Sequence, residues 1–282
     1  MIPFVKMQGN GNDFIVVDNR DSAFSTDSLS AMARNFCPRR SSLGADGILV
    51  VEESRQADFT MRLFNADGSE GEMCGNGARC IARYAFEKGI AGKEQSFSTL
   101  AGIMKAVVTP PFVDLDMGTV SLSSAWINRP FSVGAKTFDT SFLVVGVPHL
   151  VLFLAENELT REETIATGRE LCHAYAFFPN GTNVNFVVSN DDTHIGSVTY
   201  ERGVEDLTDS CGTGSTASAI ASVLRRPGAP SEAFVEVKNP GGINSVTLRF
   251  DSSGESVAAS LKGRALMVAE GLLFENENNG ML

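Results

Sequence analysis

The feature that most constrains this chain is a short cysteine–glycine motif that occurs twice. Cys74-Gly75-Asn76-Gly77 leads into a run whose apolar residues Ile81, Ala82, Ala85 and Phe86 fall at helical spacing, and Cys211-Gly212-Thr213-Gly214 opens a second run, of small residues, that reaches Leu224. Other landmarks recur at nearly the step that separates Cys74 from Cys211. Leu100-Ala-Gly-Ile-Met-Lys-Ala-Val-Val108 is echoed by Pro240-Gly-Gly-Ile-Asn-Ser-Val-Thr-Leu248. Asn12-Asp-Phe-Ile-Val-Val-Asp18 is echoed by Pro148-His-Leu-Val-Leu-Phe-Leu154. Landmarks in one order at nearly one offset predict two halves of like structure.

Each motif aims a thiol at a helix N-terminus. The unpaired N–H groups and the positive dipole end there favour an anion. They lower a thiol's pKa from about 8.5 toward about 7, at about 1.4 kcal/mol per unit. Two like halves facing one another would set Cys74 and Cys211 on opposite sides of a cleft. In isolation a Cys-Gly-x-Gly also suits a small buried residue in a turn; the repetition points to chemistry.

The 282 residues, 43% of them hydrophobic, suffice for two domains with a core in each. A net charge of −11 argues against nucleic acid or an anionic membrane as partner, since both require clustered Lys and Arg, and only the pairs Arg39-Arg40 and Arg225-Arg226 occur. The first residues lack a signal-peptide core, and the most apolar region, Phe142 to Ala155, is broken by Gly146, Pro148 and His149. A soluble, cytoplasmic chain is expected. Five cysteines (Cys37, Cys74, Cys80, Cys172 and Cys211) are an odd number, which suits reduced thiols.

In the first half, strands are expected either side of the turn Gly9–Asp13, then a helix over 28–36, strands over 48–52 and 57–64, the helix after Cys74, and strands over 96–99, 103–108 and 112–117. Residues 121–137 read as the crossing between halves. The second half follows with strands over 142–147 and 150–154, a helix over 161–173, strands over 183–188 and 195–201, a helix over 215–224, and strands over 234–237, 245–250 and 257–261. The domains are thus 1–120 and 121–263, with a last strand over 264–274 returning to the first, and residues 275–282 reading as a frayed tail. Gly9-x-Gly11 lacks the third glycine and the helix of a dinucleotide fingerprint.

Two thiols facing one carbon suit the inversion of a stereocentre without a cofactor, which needs a base on one face and an acid on the other. One thiol rests ionised and the other protonated, and each turnover exchanges them. An amino acid's α-hydrogen is so poor an acid that donors must also stabilise the developing carbanion. The N–H groups of Gly75, Asn76 and Gly77, and of Gly212, Thr213 and Gly214, are placed for this.

At these residues the chain resembles the diaminopimelate epimerases. The resemblance runs through Lys6-Met-Gln-Gly-Asn-Gly-Asn-Asp-Phe14, Gly44-Ala-Asp-Gly47, Phe64-Asn-Ala-Asp-Gly-Ser-Glu70, Met73-Cys-Gly-Asn-Gly-Ala-Arg-Cys80, Gly146-Val-Pro-His149, Asn183-Val-Asn-Phe186, Tyr200-Glu-Arg-Gly203, Cys211-Gly-Thr-Gly214 and Leu261-Lys-Gly-Arg-Ala265, in order along nearly the whole chain. It implies an α/β fold of two pseudo-symmetric domains, each a curled, mainly antiparallel sheet around a central helix, a homodimer, and epimerisation of LL-diaminopimelate to meso-diaminopimelate without pyridoxal phosphate or any other cofactor. It implies that Cys74 and Cys211 are the acid/base pair, with His149 and Glu201 setting protonation near the reacting amino acid. It further implies that Asn12, Asn65, Asn183 and Arg202 hold the substrate's second head, and that Gly75-Asn76 and Gly214-Ser215 cradle carboxylate. Asn65 and Asn183 also suit turn caps, and His149 a satisfied buried imidazole. Val147 stands where many members have Asn, and the loop from Arg202 to Cys211 is a residue longer than is common.

Two other readings stay open. One is a racemase of the same family acting on another amino acid, such as histidine. The other is a thiol redox or metal-binding protein, against which stand the lack of any Cys-x-x-Cys and of ligand-spaced partners for His173 and His194. No metal is expected.

Overall fold

The computed structural model describes residues 1–133, 136–228 and 230–274, so the expected frayed tail lies outside the described residues. The chain divides into two compact units, Met1–Leu115 together with the chain from Gly263 on, and Asp116–Lys262. No helix among the described residues is long and apolar enough to cross a membrane.

The first unit holds β1 (Ile2–Gly9), β2 (Asn12–Asp18), α1 (Thr26–Phe36), β3 (Gly47–Glu52), β4 (Phe59–Asn65), β5 (Glu70–Gly71), α2 (Gly75–Glu87), β6 (Glu94–Thr99), β7 (Gly102–Thr109) and the start of β8 (Phe112–Ser121). The second holds β9 (Trp126–Val133), β10 (Lys136–Val145), β11 (Val147–Leu154), α3 (Arg161–Cys172), β12 (Asn183–Ser189), β13 (His194–Glu201), β14 (Asp206–Thr208), α4 (Gly212–Leu224), β15 (Glu232–Asn239), β16 (Gly242–Phe250) and most of β17 (Ser256–Arg264). The last strand, β18 (Leu266–Leu273), pairs antiparallel with β1 in the first unit.

Both units repeat one run of pairings. In the first, β18, β1 and β2 are antiparallel neighbours, β2 runs parallel to β3, β3 antiparallel to β4, β4 parallel to β6, and β6, β7 and β8 antiparallel. In the second, β9, β10 and β11 stand in the same relation, β11 is parallel to β12, β12 antiparallel to β13, β13 parallel to β15, and β15, β16 and β17 antiparallel. The two parallel junctions of each unit come where a helix intervenes: α1 and α2 in the first, α3 and α4 in the second. Parallel neighbours need such a crossover.

The central strands are buried on both faces, which is why they read as unbroken apolar runs. Alternate residues part company along them. On β11, Leu150 and Leu152 pack with Leu171 and Cys172 of α3, while Val151 packs with Ala217, Ile220 and Ala221 of α4. On β3, Ile48 and Val50 pack with Leu29, Met32 and Phe36 of α1, while Leu49 lies against Gly77 at the start of α2. Each sheet therefore holds one helix on its outer face and wraps another.

The structure moves several sequence boundaries. Both inner helices start at the glycine directly after their cysteine, so Gly75, Gly77, Gly212 and Gly214 form the first helical turn and do not precede it. The expected crossing over 121–137 contains β9, whose Pro130 and Arg129 obscure the strand pattern; β9 pairs antiparallel with β10, and Trp126 stacks on Phe142 and Phe178. β5 and β14 are too short to show a period.

Gly168, inside α3, tests which force dominates. Helix propensity alone favours Ala there by about 1 kcal/mol. A methyl group at Gly168 would lie 2.6 Å from Tyr200 Cβ and 2.7 Å from its Cγ, atoms that cannot swing aside. Overpacking of this kind costs about 1–3 kcal/mol, so Gly168→Ala is expected to lower the urea midpoint of unfolding; a raised midpoint would refute this account of the contact between α3 and β13.

Candidate active site

Each unit presents a cysteine as the N-cap of its inner helix. Cys74 caps α2 with extended backbone (φ −135°, ψ 123°) and Cys211 caps α4 likewise (φ −111°, ψ 117°). The first backbone bonds within these helices run from Ala78 N–H to the Cys74 carbonyl and from Ser215 N–H to the Cys211 carbonyl. The N–H groups of the three residues between therefore precede the helical ladder. The Cys211 sulfur accepts from Gly214 N–H at 3.3 Å and lies 3.4 Å from Thr213 Oγ1. Sulfur thus takes the place that a serine or aspartate oxygen fills at other caps.

In the first unit, Asn76 and Asn12 form the middle of a polar chain. The buried Arg79 guanidinium donates through Nη2 to Asn76 Oδ1 at 2.6 Å, and Asn76 Nδ2 donates to Asn12 Oδ1 at 2.5 Å. Asn12 Nδ2 donates to Asp46 Oδ2 at 3.0 Å, and Asp46 Oδ1 accepts from Arg39 at 2.6 Å. Asn12 keeps one N–H and one lone pair beyond these bonds. Asn65, by contrast, is exposed at the end of β4, where its Nδ2 donates to Ser69 Oγ at 3.0 Å and its backbone closes the turn to Gly68.

In the second unit His149 is completely buried. Asn185 Nδ2 lies 3.1 Å from its Nδ1 and also donates to the Leu150 carbonyl, while Asn185 Oδ1 accepts from the Thr199 hydroxyl at 2.9 Å. A carbonyl can only accept, so the amide orientation is fixed: His149 Nδ1 is the acceptor and the proton of the neutral ring sits on Nε2. That Nε2 has no hydrogen-bond partner among the described residues. Burial pulls the His149 pKa down to about 3, and the Arg202 charge adds to the effect. Gly214 closes over this group: a Cβ there would come within 2.4 Å of Asn185 Oδ1.

Burial also pushes the Glu201 carboxyl up, against a hydrogen bond from Thr208 that lowers it. Asn183 Oδ1 accepts the Arg202 backbone N–H at 2.9 Å. The Arg202 side chain is exposed and donates to the Asn180 carbonyl at 2.5 Å. Ser215 turns inward: its N–H goes to the Cys211 carbonyl, and its hydroxyl accepts from Asn244 Nδ2 at 2.9 Å and lies 3.2 Å from Asn239 Oδ1. Its polar groups are engaged by the fold, which leaves Gly212 and Thr213 as the N–H positions of that turn that precede the helical ladder and go to no acceptor among the described residues.

Burial holds the remaining cysteines as thiols, pushing Cys37 up to about 11 and Cys80 up to about 12, and raising Cys172. His173 gains a neighbour that spacing did not reveal. Its Nε2 lies 3.2 Å from Glu205 Oε2 beside Cys172, a trio with ligand atoms within 4.8 Å of one another. Glu205 already accepts from Gly203 N–H at 3.0 Å and Tyr200 OH at 3.3 Å, so the contact is satisfied without an ion. The sequence also did not single out Asp46, Asn185 or Thr199. Asn185 had a signal: it follows Asn183 at the alternate position of a strand, hence on the same face.

The sequence model of the family described as diaminopimelate epimerase matches residues 4–123 and 141–268. Diaminopimelate epimerase of Hydrogenobaculum sp. (strain Y04AAS1) is 38% identical over 279 residues, covering 95% of this chain and 97% of that protein. The enzyme of the same name from Caldanaerobacter subterraneus subsp. tengcongensis is 41% identical over 237 residues, covering 78% and 84%. Among solved structures, a probable proline racemase from Agrobacterium radiobacter K84 superposes with a TM-score of 0.70 at 14% identity, covering all of this chain and 95% of that one, a likeness of fold.

The histidines give a direct check of this electrostatic picture. Asp191 raises the pKa of the exposed His194 through a hydrogen bond and its charge. In imidazole NMR spectra the His194 resonances are expected to titrate above the free value, while those of His149 stay fixed from about pH 8 to about 5 in the Nε2–H tautomer. Because the folded His149 pKa is depressed, its neutral form supports the fold fully above about pH 6.5, and that support fades as pH falls below it. A His149 signal titrating near pH 6.5 would overturn the assignment.

Proposed function

The chain belongs to the diaminopimelate epimerase family, and we propose from this that it converts LL-diaminopimelate to meso-diaminopimelate with no cofactor, one of Cys74 and Cys211 taking the α-proton and the other delivering a different proton to the opposite face. The observation that carries the reading is the repeated N-cap: at matched points of two like runs of strand pairings stands one cysteine at the start of a buried helix. Inversion by two bases requires one group that takes a proton and another that gives one, and the remaining cysteines are held as thiols by burial.

The thiolate removes the α-hydrogen from one face of the carbon and the opposing thiol delivers a proton to the other, leaving the pair with its charges exchanged. Charge that develops on the α-carboxylate is met by the N–H groups of Gly75 and Asn76 from one helix and of Gly212 and Thr213 from the other, fixed in advance by the helical backbone. His149, neutral at working pH, offers Nε2–H as a donor without adding a positive charge; Glu201 offers a partly buried carboxyl for the ammonium group. Asn12, Asn65, Asn183 and Arg202 are assigned to the distal amino-acid head, where Arg202 supplies a charge-assisted fork for carboxylate. Val147 leaves that head one neutral hydrogen bond poorer, worth about 1 kcal/mol, which does not cancel the arginine's preference. Cytoplasmic residence and a homodimer belong to the same proposal.

Exchange of the α-proton for deuterium in D2O with LL-diaminopimelate, beside histidine, lysine and glutamate, tests substrate and chemistry together. Diaminopimelate should exchange and epimerise fastest. Cys74→Ala and Cys211→Ala should each lower kcat by about a thousandfold, with Cys80→Ala, Cys37→Ala and Cys172→Ala near wild type. Preference for histidine would instead assign the chain to a sister activity of the family.

For the distal head, Arg202→Ala should reduce kcat/KM for diaminopimelate by about tenfold to a hundredfold while leaving slow turnover of single-headed amino acids unchanged. Equal loss for every substrate would remove Arg202 from that role.

A further inference from the structure

The first unit buries a cation that the mechanism above does not use. Arg79, in the second turn of α2, is completely enclosed. An unpaired buried charge costs several kcal/mol, so a guanidinium in such a place calls for a counter-charge. Its Nη2 donates to Asn76 Oδ1, its Nη1 lies 3.5 Å from the Gly75 carbonyl, and its Nε finds no acceptor among the described residues. The backbone of Gly263 seals it: a Cβ there would stand 2.7 Å from Nε and 2.8 Å from Cζ. Among the described residues, the ionisable groups whose charge raises its pKa against burial are Cys80 and Cys74. Cys80, pushed up to about 12 by burial, is a neutral thiol near pH 7. Cys74, the N-cap of the same helix, remains.

The charged groups on elements packed against α2 have other partners. Lys6 and Asp13 pair with each other, and Asp13 also with Arg39; Asp18 pairs with Arg20, Glu52 with Arg62, and Glu270 with Lys88; Lys105 is exposed. On α2 itself Arg83 pairs with Glu87. The inner helix of the second unit carries no equivalent cation. At the matching place after Cys211 stands Thr216, whose hydroxyl bonds back to the Gly212 carbonyl at 3.1 Å, and α4 contains no charged residue.

We propose that Arg79 is a positioning residue: it is the buried counter-charge that holds Cys74 as the thiolate of the resting enzyme, and through Asn76 it fixes the turn that carries that thiolate, so that Cys211 rests as the thiol. This rests on the reading in which the two cysteines act as a pair.

The test uses the whole chain without substrate. Each cysteine's alkylation by iodoacetamide is followed against pH and located by peptide mass spectrometry; the pH of half-maximal reactivity is read, since access to the sulfur does not move it. In wild type the Cys74 midpoint should lie at least about one pH unit below that of Cys211, which is about a tenfold difference in thiolate at equal pH. Arg79→Met should raise the Cys74 midpoint by about one unit or more and leave that of Cys211 in place, and Arg79→Lys should recover most of the shift. A wild-type Cys74 midpoint at or above that of Cys211, an unchanged Cys74 midpoint in Arg79→Met, or a shift shared equally by both cysteines would each overturn the proposal. Should Arg79→Met fail to fold, the wild-type comparison and Arg79→Lys decide it. Arg79-dependent ionisation in a protein that epimerises nothing would overturn the functional reading alone.

Discussion

Each unit depends on one constraint, a cysteine fixed as the N-cap of a helix whose body is enclosed by a sheet; in the second unit the cysteine sulfur also accepts from the first turn. A helix end of this kind is useful only if it does not fray, and enclosure prevents fraying. In α4, Gly214 through Val223 are all buried, which small side chains permit on every face at once. The hydroxyls this brings inside are satisfied locally: Ser215 and Thr216 bond back toward the preceding turn, and Ser218 lies 3.2 Å from Ser197 Oγ. In α2 enclosure is less complete, with Arg83 and Glu87 on the outer side.

The two units solve the same geometric problem with different polar chemistry. Around α2 the polar chain is charged at both ends, running from the buried Arg79 through Asn76 and Asn12 to Asp46 and the exposed Arg39. Around α4 it is neutral, built of Asn185, Thr199 and His149 on one side and Ser215, Asn239 and Asn244 on the other. A buried guanidinium and a buried neutral imidazole shape the potential in different ways: the first attracts an anion strongly, the second orients a dipole. A proton-exchange pair must start with unlike partners, and repetition of the fold by itself would give like ones. On the proposal made above, the divergence at Arg79 and Thr216 supplies the difference.

Glycine tightens this arrangement at two points. Gly214 has no room for a side chain because Asn185 Oδ1 and Thr199 Oγ1 occupy it, so α4 reaches its final depth only with glycine there. Gly263 does the same over Arg79, bringing backbone against the guanidinium where any side chain would push it aside. Both contacts join residues far apart in sequence, and neither glycine sits in a loop.

How much was legible in the sequence follows from the range of each force. Periodicity and caps act within a few residues, so most strands, the helices and the pairing of each cysteine with a helix start could be read from Cys74-Gly-Asn-Gly, Cys211-Gly-Thr-Gly and the apolar runs beside them. The repeat was legible because three landmarks preserved their order and offset. Strand β9 was not, since Pro130 and Arg129 hide a strand that pairing with β10 and aromatic stacking hold, and neither was the commitment of Ser215 to Asn239 and Asn244. Only the tertiary structure decided which polar side chains meet. That Asn185 fixes the His149 tautomer, that burial makes this imidazole neutral, and that Arg79 is sealed by Gly263 are consequences of desolvation and contact between distant segments. Local sequence carries no measure of either.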